Sequence, residues 1–157
     1  MEESNISSVE KSIQSIDTVQ KLFIHLIKPD FMPVGTVFKS VQDLDSILDN
    51  SCQEIVINDL FDYLSYNDSS NILDTLIKKL SSNGYIIIQS VDLYQFACSI
   101  AFEDIDLDTS KMILYPNKKA IYTLYDIELE LQNRKLDIVE KKYLNIFEYY
   151  IRAQKII

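Results

Sequence analysis

The sequence predicts an α/β domain whose mostly parallel sheet closes on an antiparallel hairpin. Two continuously apolar runs, Glu54-Ile-Val-Ile-Asn58 and Tyr85-Ile-Ile-Ile-Gln89, are of the type buried on both faces of a parallel sheet. Between them, Ile72, Leu73, Leu76, Ile77 and Leu80 recur at helical spacing, so the segment reads as a βαβ unit. At the end of the chain, two β-rich runs, Leu136 to Tyr143 and Phe147 to Ile156, flank a turn near Leu144 to Ile146 and are expected to pair as a hairpin.

In chain order, Ile6, Val9, Ile13 and Ile16 fall on one face of a helix over residues 1–19, which is expected to pack on its own core or to dock on a partner. Residues 20–157 form the remaining domain. Lys21-Leu-Phe-Ile-His-Leu-Ile27 is a short strand-type run, ended by Lys28-Pro29 and Pro33-Val-Gly35. Thr36 to Lys39 is a second such run, followed by a short helix at Val41 to Leu48 that Asp49-Asn-Ser51 closes. Asp68-Ser-Ser70 is expected to cap the helix of the βαβ unit, and Asn83-Gly84 to stop it. Leu93 to Phe102 reads as a helix. Glu103 to Asn117 reads as an acidic loop with a weak strand at Met112 to Tyr115, and Ala120 to Asn133 as a helix with Ile121, Leu124, Ile127 and Leu131 inward.

Composition narrows the function. The 157 residues are 47% hydrophobic, enough for one packed domain. A net charge of −9 argues against a nucleic-acid partner, whose binding rests on Lys and Arg displacing counterions. Cys52 and Cys98 sit in apolar or helical stretches and form neither a disulfide framework nor a zinc site. No apolar run approaches a membrane span and no signal-type core opens the chain, so a cytoplasmic protein away from membranes is expected. His25 is the only histidine, which excludes histidine triads and multi-histidine metal sites. The acidic run Glu103 to Asp108 lacks the glycine and glutamate of a calcium loop, so no metal site is expected. Only two glycines occur, where average usage near 7% gives about eleven, so loops that cradle phosphates with bare backbone are short of material.

Gln53-Glu-Ile-Val-Ile-Asn-Asp-Leu-Phe-Asp-Tyr-Leu64 resembles, without a gap, the D-E-I-Y-A-S-H-V-L-E-H-L of class I S-adenosylmethionine-dependent methyltransferases from carbohydrate and cell-surface gene clusters. Leu80-Ser-Ser-Asn-Gly-Tyr-Ile-Ile-Ile88 is similar to their L-K-P-G-G-x-L-I-I, and Lys21-Leu-Phe-Ile-His25 to their K-L-x-I-G. Residues 120–155 resemble the family's last helix and hairpin, although Asn133-Arg-Lys135 replaces its usual Gly-Phe. The resemblance implies a Rossmann-like, three-layer αβα fold, with a seven-stranded sheet that ends in one reversed strand.

The family's first strand ends in G-x-G so that backbone can approach the cofactor. Here that position reads His25-Leu26-Ile27. The acid that normally follows the second strand is replaced by Lys39 and Ser40, with Asp43 as the nearest carboxylate. Three full crossovers need roughly 40 to 46 residues; residues 28–53 supply 26. An abridged cofactor half is therefore expected. By the resemblance, His25, Asp43 and Asn58 border the cofactor region, and Asp59 and Asp62 lie where the family faces its acceptor, Asp59 and Tyr63 standing for two histidines. Ser90, Val91 and Asp92 end the next strand and border the same crevice or cap loops.

The expected function is a degenerate methyltransferase-like domain without a bound cofactor, acting as a binding or scaffolding partner of another protein or of its own copies. The alternative is a small active O- or N-methyltransferase using S-adenosylmethionine, with Asp59 or Asp62 orienting or deprotonating the acceptor. A third reading has the crevice hold another nucleotide-like ligand.

Overall fold

A computed structural model describes residues 19–24, 36–114 and 118–156. Strands β1 (Val19–Ile24), β2 (Thr36–Lys39), β3 (Cys52–Asn58), β4 (Leu80–Val91), β5 (Leu136–Tyr143) and β6 (Glu148–Lys155) form one six-stranded sheet. Its order is β2-β1-β3-β4-β6-β5. The first four strands pair in parallel, and β6 runs antiparallel to β4 and β5.

Register explains the core. Leu22, Ile55, Ile86 and Ala153 stand side by side across four strands, and so do Ile24, Ile57, Ile88 and Ile151. All eight are fully or almost fully buried. Because side chains alternate between faces, a one-residue slip of any strand would turn its apolar set away from this core. Leu73 and Leu76 of helix α1 (Tyr66–Lys79) and Ile127 and Leu131 of α4 (Leu124–Asn133) complete it. The opposite face carries the row Lys21, Glu54 and Tyr85. There Lys21 pairs with Glu54 at 2.6 Å and the Arg152 guanidinium lies 3.9 Å from the Tyr85 ring centre.

Among the described residues the sheet has six strands, where the resemblance implies seven. Between β2 and β3 the chain makes only a 3-10 helix, Val41–Ser46, in place of a full crossover. The expected helix at residues 1–19 and the residues His25 to Gly35 lie outside the described residues, apart from Val19, which opens β1.

Four local expectations need correction. The cap of α1 is Ser65, whose hydroxyl accepts from Asp68 N–H at 3.2 Å and donates to the Asp68 carboxylate at 2.7 Å; Asp68 is already inside the helix. Asn83-Gly84 does not stop that helix. It ends at Lys79, where Lys155 of β6 reaches across to donate to the carbonyls of Ile77 and Leu80 at 3.1 and 2.7 Å. Asn83, at φ 60°, instead belongs to an outward excursion of β4, between pairs Cys52–Leu80 and Glu54–Tyr85. Gly84 is needed there because a Cβ would meet Ser81 O at 2.9 Å and Gln53 O at 3.0 Å.

The expected strand at Met112 to Tyr115 falls on a helix, α3 (Leu107–Leu114). Asp106 starts it by accepting from Thr109 N–H at 2.8 Å, and a short apolar run does not separate strand from helix by periodicity. Helix α2 (Leu93–Ala101) lies as expected. Helix α4 begins at Leu124 rather than Ala120, because Thr123 and Asp126 form a reciprocal capping box.

Candidate functional site

Open α/β sheets place ligands at the C-terminal ends of their parallel strands. At the end of β3, Asn58 is followed by Asp59 in a left-handed conformation (φ 53°, ψ 3°), which short polar residues tolerate. The Asp59 N–H donates to Gln89 O at 2.9 Å, and its carboxylate accepts from the Ser90 hydroxyl at 3.2 Å, tying the β3 end to the β4 end. A 3-10 turn, Leu60–Tyr63, then buries Leu60 and Phe61 and carries Asp62 inward with them.

Asp62 is 1% exposed and meets Lys118, itself 7% exposed, at 2.5 Å. Its main-chain oxygen accepts from the N–H groups of Lys119 and Ala120 at 2.6 and 3.1 Å, so residues 118–120 are laced to this turn. Burial pushes the Asp62 carboxyl above its ordinary range, and the Lys118 contact opposes that shift. Tyr149 of β6, in register with Ser90, is 1% exposed. Burial and the nearby carboxylates of Asp62, Asp92 and Asp59 push its phenol well up, so it stays protonated. Asp92, at the end of β4, spends its carboxylate on the Gln95 and Leu124 N–H groups, at 2.9 and 2.7 Å, and on the Tyr143 hydroxyl at 3.2 Å. It caps helices and joins elements; the loop-capping reading of this position holds.

A pocket of about 220 Å³ opens between these strand ends and the β5–β6 turn, with Asn58, Asp59, Gln89 and Glu148 on its walls. The Asn58 amide oxygen is buried with no hydrogen-bond partner. Among the expected site residues, then, Asn58 and Asp59 share one pocket. Asp62 is paired with Lys118 instead, Asp43 is exposed in the 3-10 helix after β2, and His25 lies outside the described residues.

Lys118 and Glu148 carry no sequence signal of a site, since only the folded arrangement brings them to β3 and β4. Tyr149 had one, namely its place on a hairpin strand expected to join the sheet. Among the described residues, no group of three or more His, Cys, Asp and Glu is arranged to hold a metal ion, and no helix is long and apolar enough to cross a membrane.

No protein-family model and no curated protein sequence matches the chain. Solved structures do. An S-adenosylmethionine-dependent methyltransferase from Thermotoga maritima, a possible histamine N-methyltransferase, superposes with a TM-score of 0.59 at 13% identity, over 87% of this chain and 82% of that one. Another from Mesorhizobium loti gives 0.60 at 10% identity, over 89% and 92%. Magnesium protoporphyrin IX methyltransferase from Synechocystis PCC 6803, with bound S-adenosylhomocysteine, gives 0.53 at 10% identity, over 76% and 51%.

The chain thus has the Rossmann-like fold of class I S-adenosylmethionine-dependent methyltransferases. At these identities the likeness is one of fold.

Proposed function

We propose that this chain is a methyltransferase-fold binding domain that does not transfer methyl groups and serves as a partner of another protein or of its own copies. The observation that carries this is the end of β2. A ribose diol needs a hydrogen-bond acceptor there. The strand offers Lys39, whose ammonium donates to Ser46 at 3.3 Å, and Ser40, whose hydroxyl is spent on the turn that follows. The nearest carboxylate in sequence, Asp43, is exposed within the 3-10 helix. The residues present therefore do not fit an adenosyl cofactor on that side, and the sequence His25-Leu26-Ile27 in place of G-x-G argues the same way.

The net charge of −9 favours protein or small-molecule partners over nucleic acid, and a cytoplasmic setting belongs to the same reading. Residues 1–18 are proposed as the docking element; chain lacking them should show a changed mass in solution or lose its partner.

A thermal-shift titration with S-adenosylmethionine and S-adenosylhomocysteine tests the main claim. Ligand at 100 times its dissociation constant stabilises a fold by about 2.7 kcal/mol, which is about 5 to 10 °C for a chain of this size. No shift is expected. A shift of that size would overturn this reading and revive the second one, a small active methyltransferase, which the pocket beside Asp59 supports.

A further inference from the structure

We propose that two copies of this chain associate through the free edge of β5, the two strands pairing antiparallel about a two-fold axis so that the sheets join into one. This rests on the reading of the chain as a partner of its own copies and names the surface they share.

Strand β5 ends the sheet. It pairs with β6 on one side and, among the described residues, with no strand on the other. Such an edge presents a row of main-chain N–H and C=O groups that another strand can take up. Beside it lies an open groove of about 360 Å³, walled by Glu128 and Gln132 of α4 and by Ile138, Val139 and Lys141 of β5.

The β5 sequence is complementary to itself. Pairing with β6 fixes the face that each residue takes. Leu136, Ile138, Lys141 and Tyr143 stand on the core face, opposite Lys155, Ala153, Ile151 and Tyr149; Asp137, Glu140 and Lys142 stand on the other. With the axis between Val139 and Glu140, Leu136 meets Tyr143 of the second copy, Asp137 meets Lys142, and Ile138 meets Lys141. Each of these pairs shares a face, as directly opposed residues must. Symmetry repeats each pair, so two Asp–Lys pairs form across the axis. Asp137 is exposed and the Lys142 side chain is 52% exposed, so both are within reach of a second copy. A slip of one residue sets side chains of different faces against each other. A slip of two sets Asp137 against Glu140, both acids, or in the other direction Glu140 against Lys141, which lie on different faces.

The register shift between Ile138 and Glu140 gives β5 one extra residue, a device that shields many sheet edges. Here both copies carry it at the axis. The two strands therefore keep equal residue counts, and the pairs to either side stay in step.

Helix α4 points the same way. Tyr125, Glu128, Leu129 and Gln132 lie on one stripe of it, at i, i+3, i+4 and i+7. Glu128 and Gln132 line the groove, and Glu128 holds Lys141 of β5 at 2.8 Å. On the same stripe Tyr125 and Leu129 are 65% and 38% exposed. Joining the sheets sets the two α4 helices side by side, which gives these apolar side chains a partner.

The test is sedimentation equilibrium of the full chain over a concentration series. A reversible dimer is expected. Asp137→Lys and Lys142→Asp each set like charges together at two places and should weaken it by about tenfold. An equimolar mixture of the two variants should restore the dimer, because the mixed pair again matches a lysine with an aspartate at both places. Poor folding of a variant could not produce that recovery.

A chain that stays monomeric throughout, a dimer that both reversals leave intact, or a mixture no tighter than its components would overturn the proposal. The same samples are melted with S-adenosylhomocysteine. Its binding would overturn the binding-domain reading and leave the dimer standing, whereas a monomeric chain that binds none overturns only the choice of its own copies as partner.

Discussion

Replacing Lys118 by methionine tests the strongest buried interaction described here. The substitution keeps a chain of similar length but leaves the Asp62 carboxylate, 1% exposed, without its cation. Removing one partner of a buried ion pair costs about 3 to 5 kcal/mol, against a total of about 5 to 15 kcal/mol for a domain. With a urea dependence of about 2 kcal/mol per molar, the midpoint should fall by about 2 M.

The double variant Asp62→Asn/Lys118→Met removes both charges and should recover to within about 1 kcal/mol of the parent. The Asp62 main-chain oxygen still accepts from Lys119 and Ala120, so the turn itself is not undone. Urea unfolding followed by circular dichroism reads the cycle. The sign of the pH dependence follows from the carboxyl. Burial already raises it, and losing Lys118 removes the opposing effect. A carboxyl raised in the folded state stabilises relative to neutral pH only while protonated. The deficit of Lys118→Met should therefore shrink as pH falls below that raised value and be complete above it. If the double variant is as damaged as the sum of the singles, or the deficit is flat with pH, the pair is not the energetic unit argued for.

Three further outcomes follow from the fold. Ser65→Ala should cost about 1 kcal/mol in thermal or urea unfolding, because it deletes the hydroxyl that caps α1, whereas Ser70→Ala, within the Asp68-Ser-Ser70 stretch first expected to cap, should remove only the Arg134 contact at 2.7 Å. Gly84→Ala should cost about 1 to 3 kcal/mol, since the new methyl meets two main-chain oxygens that cannot swing aside. Tyr143→Phe should cost about 0.5 to 1.5 kcal/mol by removing its hydrogen bond to Asp92, with little change to the far-ultraviolet spectrum.

The β3–α1–β4 unit was legible because its apolar runs are long, continuous and of one period each. The hairpin was legible for a related reason, two β-rich runs on either side of one short turn. What escaped was set by distant residues. The end of α1 is fixed by Lys155, 75 positions from Leu80, so no local stop signal could locate it. Helix α3 was misread because Met112-Ile-Leu114 is too short to show a period, while its start depends on Asp106, six residues before that run. Of the site, Asn58 and Asp59 were visible from their position at a strand end. Asp62 was visible as an acid, but its neutralisation by Lys118 was not, because a lysine in a polar stretch gives no hint that it will be buried.

Asp92 has a consequence of its own. One carboxylate holds the first turns of α2 and α4 and the tyrosine that ends β5, while its N–H donates to Phe147 O at 2.7 Å. Three segments distant in the chain thus share a single clasp. Their amide protons should exchange with solvent as one cooperative group, so that loosening the hairpin tip also frays the start of both helices.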